Sequence, residues 1–305
     1  VHNFLRKLFV YEPFIKMKGV TKMKDVLLIT GATGNLGREV VKALLIEGYA
    51  VRAGTRNVDA IQSEEHLEAA KLDYTDASTF DKALLGVSGI LLVAPPMDPE
   101  APAKLIPFIE KAKEVGVKHI VFISALGVDQ NEQSPLRVIE LALMESGIAY
   151  TILRSNFFME NFSLGFIAPM IKQQNGIFLA ADDGKTSFIS TKDIAAVAVK
   201  SFADALYGKE FNLTGPEAFD HTQVAKIIGN KTGKAIAYHA LTKEAMLQGA
   251  RDQGMPEGAV QYMAVLYAVV RAGYMAAVTD DVEKVTGCKP ITFKDFVDNN
   301  AESWT

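Results

Sequence analysis

Asp25-Val26-Leu27-Leu28-Ile29-Thr30-Gly31-Ala32-Thr33-Gly34-Asn35-Leu36-Gly37 is the stretch whose reading decides the fold. Its first half is a short apolar run of the kind buried on both faces of a parallel sheet. Glycines follow at the spacing G-x-x-G-x-x-G. The chain then turns helical, with Leu36, Val40, Val41, Leu44 and Leu45 on one face and Gly48 as the stop. In such a strand–turn–helix unit Gly31 permits the tight turn, Gly34 lets the backbone approach a diphosphate, and Gly37 lets the helix pack against the strand. The anion would rest on the helix N-terminus, where the free N–H groups of the Thr33–Gly37 segment, Asn35 and Leu36 among them, meet the positive end of the dipole. A glycine triplet alone marks no more than a turn; the buried strand before it and the matching helix after it make it a dinucleotide turn.

Outward from this unit the alternation continues. A second strand, Ala50 to Thr55, ends at Arg56, where NAD enzymes place a carboxylate for the ribose 2′-hydroxyl. A guanidinium there would pair with a 2′-phosphate, favouring NADPH over NADH; the alternative is a solvated arginine beyond a strand. Leu72-Asp73 closes a third strand, with Asp73 placed either near the adenine or as a cap on the next helix. Gly89 to Ala94 is a fourth strand running into Pro95-Pro96-Met97, at the carboxyl edge where ligands of doubly wound sheets gather. Ala103 to Val115 reads as helix, His119 to Ser124 as a fifth strand, Ser134 to Ser146 as helix and Tyr150 to Arg154 as a sixth strand. Repeated βα units require a parallel sheet. The expected fold is therefore α/β, a doubly wound dinucleotide-binding domain over residues 23–155, with a smaller α/β lobe over 156–305 from which some chain crosses back to the sheet.

Composition narrows the partners. With 305 residues, 49% of them hydrophobic, the chain can bury a real core, and a net charge of −4 offers no positive field for nucleic acid or an acidic membrane. A small-molecule substrate is favoured, and the sequence carries no signal for a particular oligomer. The most apolar stretch, Val260 to Val278, is interrupted by Gln261 and Arg271, which argues against a membrane span. The single cysteine, Cys288, cannot form an internal disulfide and no His/Cys cluster has metal-ligand spacing, so the expectation is a metal-free, cytoplasmic protein. Residues 1–22, where Phe4, Leu5, Leu8 and Phe9 alternate with basic residues before Pro13, read as an extension ahead of the fold, with Met17 or Met23 as alternative starts.

The glycine spacing resembles that of the short-chain dehydrogenase/reductase superfamily. Thr30-Gly31-Ala32-Thr33-Gly34, the strand His119 to Ser124, Ser146-Gly147 through Arg154, Phe158-Met159-Glu160-Asn161, Ser190 to Ala195, Leu213-Thr214-Gly215-Pro216 and the closing Val278 to Val282 are together similar to the NmrA-like atypical members, over nearly all of residues 24–305. The resemblance implies a Rossmann domain binding NADP, with a C-terminal lobe closing over a cleft. It also implies one of two functions. Some relatives pass hydride to quinones or aromatic dyes; others bind the dinucleotide as regulatory sensors, and fold alone does not choose.

The chemistry is defined partly by what is missing. The superfamily's Tyr-x-x-x-Lys places a phenol and an ammonium on one helix face for proton transfer, but no Tyr here has Lys four residues later. Tyr150 and Arg154 have the spacing on a strand, where they are expected to pack. Residues 125–146 hold no Tyr, Lys or His, and Leu136 stands where resembling relatives carry His or Lys, four before Glu140. Ser124, ending the fifth strand, is one catalytic candidate, and its alternative role is to satisfy backbone at a strand end. Tyr267 is the other. The stripe Met263, Leu266, Tyr267, Val270, with Tyr274 beyond, has helical spacing and reads as core packing or as an apolar lid whose phenol donates a proton. Asn156, Phe157 and Phe158 are expected to wall the nicotinamide, Asp193 to cap its helix, and Arg137 with Glu140 to be a solvated helix pair. Hydride transfer to a conjugated acceptor asks least of such a site.

Overall fold

The computed structural model describes residues 24–305; the expected extension over residues 1–22 lies outside them. The first strand, β1 (Lys24–Ile29), leads into α1 (Asn35–Ile46) and β2 (Tyr49–Thr55). β3 (Leu67–Lys71), α2 (Phe80–Leu84), β4 (Gly89–Val93), α3 (Ala101–Glu114), β5 (His119–Ala125), α4 (Pro135–Glu145) and β6 (Ala149–Ser155) follow in strict alternation. The lobe begins with α5 (Ala168–Gln174) and β7 (Gly176–Leu179). The chain then returns to the sheet through α6 (Thr191–Ala203) and β8 (Lys209–Leu213) before α7 (His221–Thr232), β9 (Ala237–Ala240), α8 (Lys243–Asp252), α9 (Glu257–Arg271), α10 (Asp281–Thr286) and α11 (Phe293–Asn299).

Seven strands form one sheet in the order β3-β2-β1-β4-β5-β6-β8, every neighbouring pair parallel. This is the expected α/β doubly wound architecture, and its order reverses between β1 and β4. The six strands read from the sequence all form, with ends displaced by a residue or two; Leu72 lies just past β3, its amide still donating to the Thr55 carbonyl at 2.9 Å. Alternate residues feed two separate cores. Leu27, Ile29, Leu91, Val121, Ile123 and Leu153 face Val40 and Leu44 of α1 and Ile194, Val197 and Ala198 of α6. Leu28, Ile90, Leu92, Ile120 and Phe122 face Leu105, Phe108, Ile139 and Leu143 of α3 and α4. Burial on both faces is why these strands read as unbroken apolar runs, each buried Leu or Ile contributing roughly 1.5–3 kcal/mol.

The lobe has its own core, in which Phe162, Phe188 and Phe293 meet edge to face or tilted at 5.0 to 5.9 Å and the Trp304 indole N–H donates to the Phe162 carbonyl at 2.6 Å. β7 and β9 pair as a two-stranded parallel sheet. α9 lies over the carboxyl edge of the main sheet, between two contact points. A Cβ on Gly258 at its start would come within 3.1 Å of Pro99, which follows β4, and Met275 beyond its end reaches toward Gly127, which follows β5. Among the described residues no single helix is long and apolar enough to cross a membrane; α9 with residues 274–286 has the composition but bends by 70°, and the apolar face of α9, Val260, Met263, Ala264, Tyr267 and Val270, is lobe core.

Asp193 does not cap α6 as expected. Ser190 is the N-cap, its hydroxyl accepting from the Lys192 amide, and Glu160 reinforces it by accepting from the Ser190 hydroxyl at 2.8 Å and the Thr191 amide at 3.0 Å. Asp193, one turn in and buried, instead accepts the Ile291 amide at 2.9 Å and so ties the C-terminal segment to the sheet side. Burial, aided by the Glu160 carboxylate and opposed by the Ile291 hydrogen bond, pushes the Asp193 carboxyl up to about 7. The folded protein therefore keeps a proton that the unfolded chain releases near the ordinary value, and stability falls as pH rises through this interval and levels off above it. Asp193→Asn keeps the acceptor for Ile291 and removes the slope. Its stability relative to the parent, from chemical denaturation, is expected to be greater near pH 8 than near pH 5.

Candidate functional site

The turn between β1 and α1 is fixed from below by Thr30, whose hydroxyl donates to the Leu91 carbonyl at 3.0 Å and accepts the Val93 amide at 2.8 Å, locking β1 to β4 at the point of strand-order reversal. Gly31 follows with φ of +62°, a left-handed conformation that side chains rarely adopt. The Gly34 amide folds back on the Gly31 carbonyl at 2.9 Å. Gly37 is the tightest position: a Cβ there would lie 2.2 Å from the Gly31 oxygen and 2.8 Å from Ala32 Cα. Gly34 is the N-cap of α1 and brings no side-chain acceptor, and the amides of Asn35, Leu36 and Gly37 have no partner among the described residues. Gly31 and Gly34 are exposed, Thr33 and Asn35 half-buried, and Leu36 and Gly37 buried. A cradle of open amides, closed beneath by backbone contact, fits a diphosphate.

On one side of the cradle, Arg56 stands exposed at the end of β2 and is close enough to help lower the Asp73 carboxyl. The larger causes are Thr75, whose amide and hydroxyl donate to Asp73 Oδ1 at 2.9 and 2.7 Å. Asp73 thus closes its own turn, while the following helical turn is capped by Asp76. Ala94 and Pro95 are half-buried at the end of β4, and Met97 beyond them adopts φ of +51° and packs against the lobe core.

On the other side, the residues expected to wall the nicotinamide divide. Asn156 is buried and committed: its amide nitrogen donates to the Ser187 hydroxyl at 2.8 Å and the Met275 carbonyl at 2.9 Å, and its oxygen accepts the Phe157 amide. It is a clamp between sheet and lobe, with both side-chain polar atoms already engaged within the protein. Phe157 packs toward the lobe and Phe158 toward the α1–α6 core. Tyr267 is only 3% exposed, its ring in the lobe core 6.4 Å from that of Phe157, and burial pushes its phenol above the ordinary value. Tyr274 is 71% exposed on an open groove of about 490 Å³ that it shares with Gln261, Val265 and Ala268. The structure therefore favours the core-packing reading of this stripe over the proton-donating lid. Among the described residues no His, Cys, Asp or Glu group could hold a metal ion.

The largest departure from expectation concerns Glu140. It is not half of a solvated pair but 0% exposed, wedged between α4 and the sheet. Its two oxygens accept the Ser124 hydroxyl at 2.6 Å, the Arg137 guanidinium at 3.0 Å and the Arg154 fork at 2.9 and 2.7 Å. Arg154 also reaches Glu210 at 2.5 Å and Asp129 at 3.8 Å. Burial lowers the Arg154 pKa, but the Glu140 and Glu210 carboxylates outweigh it and hold the group above its ordinary value. Arg154 is thus an ion-pair centre, not a packing partner for Tyr150, which lies half-buried against the α3–α4 core. The sequence did carry a signal for this: a charged residue in the middle of Thr151-Ile152-Leu153-Arg154-Ser155, otherwise a buried strand, requires a partner. One helical turn before Glu140 on the same face stands Leu136, apolar and half-buried.

A doubly wound sheet with a glycine cradle at its strand-order reversal, and no Tyr-x-x-x-Lys pair, defines a dinucleotide-binding domain of the atypical short-chain dehydrogenase class. The chain belongs to the NmrA-like family, which matches residues 23–297. It is 32% identical to prestalk A differentiation protein A of Dictyostelium discoideum, over 91% of this chain and 93% of that one. It is 31% identical to an NAD(P)H azoreductase of Xenophilus azovorans, over 92% and 99%. The structure of the NADPH-dependent quinone oxidoreductase of Escherichia coli complexed with NADPH superposes with a TM-score of 0.78 at 28% identity, covering 90% of this chain and 99% of that one.

Removing Glu140 takes the enclosed carboxylate from two guanidinium groups and leaves them only their more exposed partners, Glu210 and Asp129 for Arg154 and Glu132 for Arg137. Glu140→Ala is expected to cost about 3–5 kcal/mol, read as a lowered denaturation midpoint, whereas Glu132→Ala, which touches only the exposed side of Arg137, should cost less than about 1 kcal/mol.

Proposed function

We propose that this protein is an NADPH-dependent reductase that passes hydride to a small, apolar, aromatic or quinone-like acceptor. The observation that carries the reading is the cradle at residues 31–37, with three unpartnered amides and no room for a side chain at Gly37. When bound, the reduced nicotinamide supplies the hydride. The chain's own residues bind and orient. The Asn35, Leu36 and Gly37 amides hold the diphosphate, and Arg56 at the end of β2 faces the 2′-phosphate. Asp73 keeps one carboxylate oxygen beyond its Thr75 bonds for the adenosine side. Ala94 and Pro95 form the carboxyl-edge rim, and Phe157 and Phe158 the apolar wall on the β6 side.

The nature of the acceptor follows from the absence of an acid. Leu136 stands where a proton donor on α4 would face the cleft, and Tyr267 is enclosed by the lobe. An acceptor whose charge spreads over a conjugated system can take its proton from water, whereas a simple ketone cannot be reduced without help. The quinone oxidoreductase and the azoreductase among the relatives are named for acceptors of the first kind. A net charge of −4 gives no field for nucleic acid, and with a lone, half-buried Cys288 the reading is of a cytoplasmic protein acting on small molecules, with no membrane partner.

A second reading, a dinucleotide sensor without turnover, is favoured by the same missing acid. Two measurements decide. NADPH oxidation followed with a panel of quinones, azo dyes and enones is expected to depend on acceptor; saturable NADPH binding with no turnover across the panel would establish the sensor instead. Arg56→Ala is expected to weaken NADPH about tenfold or more, the worth of one charge-assisted contact, and to leave NADH affinity unchanged. Equal effects on both cofactors would overturn the 2′-phosphate contact of Arg56.

A further inference from the structure

We propose that Glu140 sets the polarity of the nicotinamide subsite through Ser124, turning that hydroxyl into a hydrogen-bond acceptor for the carboxamide N–H2 group. The proposal rests on the reading of the chain as a nicotinamide-dinucleotide protein and adds a positioning residue to it.

Ser124 lies near the carboxyl end of β5, two strands from the diphosphate cradle on β1, a separation of roughly 10 Å, on the half of the sheet beyond the strand-order reversal. Arg56 and Asp73 stand on the opposite half, at the ends of β2 and β3. A dinucleotide centred on the cradle therefore has its adenosine on one side and its nicotinamide on the β5 side. Even-numbered residues of β5 face α4, so Ser124 looks toward Leu136 and Glu140.

A serine hydroxyl has one proton and two lone pairs. Here the proton is committed: Ser124 Oγ donates to Glu140 Oε1 at 2.6 Å, a short charge-assisted contact. Glu140 accepts at both oxygens from Arg154 and Arg137 and is wholly enclosed, so it has nowhere else to turn. Ser124 is itself buried, 3% exposed, and no donor among the described residues reaches its Oγ, so a ligand seated against the carboxyl end of β5 is the partner left for its lone pairs. Leu136, one turn before Glu140 on α4, brings no competing donor. What the subsite can accept is thus an N–H group. The same geometry removes Ser124 as a proton source for the acceptor, since releasing its proton would break its bond to Glu140.

The test compares the binding of two ligands that differ only at this group: oxidised NADP, and its 3-acetylpyridine analogue, which keeps the carbonyl and lacks the N–H2. Affinities are measured by calorimetry, with no turnover needed. The parent protein is expected to favour NADP by about five- to tenfold, one net hydrogen bond. Ser124→Ala should bring the ratio near unity, and Ser124→Thr should keep it. Glu140→Gln, whose amide donates to Ser124 Oγ and frees the serine proton, should also collapse the ratio. A general loss of stability would lower both affinities together and leave the ratio intact. If Glu140→Gln fails to fold, the two Ser124 variants decide. NADP binding with no preference in the parent, or a preference surviving in Ser124→Ala, overturns the polarity proposal and leaves the functional reading standing. Failure of the parent to bind either ligand overturns the functional reading itself.

Discussion

The approach of Gly37 to the Gly31 carbonyl is the contact on which the site depends. With 2.2 Å between that oxygen and the place a Cβ would occupy, the first turn of α1 can lie against the end of β1 only because the side chain is absent. That closeness forces the chain between them into a loop with no internal acceptor for the Asn35, Leu36 and Gly37 amides. The N-cap is a glycine, so no side chain satisfies them either. An unsatisfied helix start is costly in isolation, and a diphosphate is the partner that makes such a start favourable. Thr30 makes the loop rigid by bonding to β4 on both sides of its hydroxyl. The ligand edge of the sheet and the pairing of its two halves are therefore set by one residue.

These features were legible because they are local. Gly31, Gly34 and Gly37, the apolar strand ahead of them and the helical stripe of Leu36, Val40 and Leu44 lie within one βα unit, where spacing alone fixes geometry. The sheet was legible for the same reason, since strands buried on both faces carry continuous apolar runs. What escaped the sequence was long-range polar pairing. Glu140 and Arg137 have the spacing of an exposed helix pair, and nothing in that spacing reveals that Ser124 and Arg154, on two strands, close over the carboxylate. Asp193 has the position of a helix-start acid, yet its partner is the Ile291 amide, nearly a hundred residues on. Asn156 follows a strand where ligand residues gather, but its amide is held by Ser187 and Met275.

Asn156 and Asp193 show how the two parts of the molecule are joined. Apolar packing alone, such as that of Met97 and Phe157 against the lobe core, is tolerant of sliding. Buried hydrogen bonds are not, because each leaves an unpaired group if broken. Asn156 fixes the segment after α9 to the end of β6, and Asp193 fixes the segment before α11 to the start of α6. α9 is thereby held over the carboxyl edge between Pro99 and Gly127, its apolar stripe turned into the lobe. The helical spacing of Met263, Tyr267 and Val270 was compatible with core or lid. The structure has it as core, with Phe157 packed against the same core and Phe158 against the α1–α6 core.

In the proposed reading, the enclosed ion-pair network at the end of β5 and the leucine on α4 border a subsite with acceptors and apolar surface but no acid. In a family that also holds regulators, that absence can be read as loss of function, yet it is equally a statement about chemistry. Positioning a cofactor and excluding water can contribute several kcal/mol to a hydride transfer without any proton moving through the protein. The cost of having no acid falls on the acceptor, which must carry negative charge until solvent protonates it. That cost is small for a quinone or an extended conjugated system and large for an isolated carbonyl. In the proposed reading, a site built from Gly34, Arg56, Ser124 and Phe157, with Leu136 where an acid would stand, would discriminate between acceptors by their electronic structure more than by their shape.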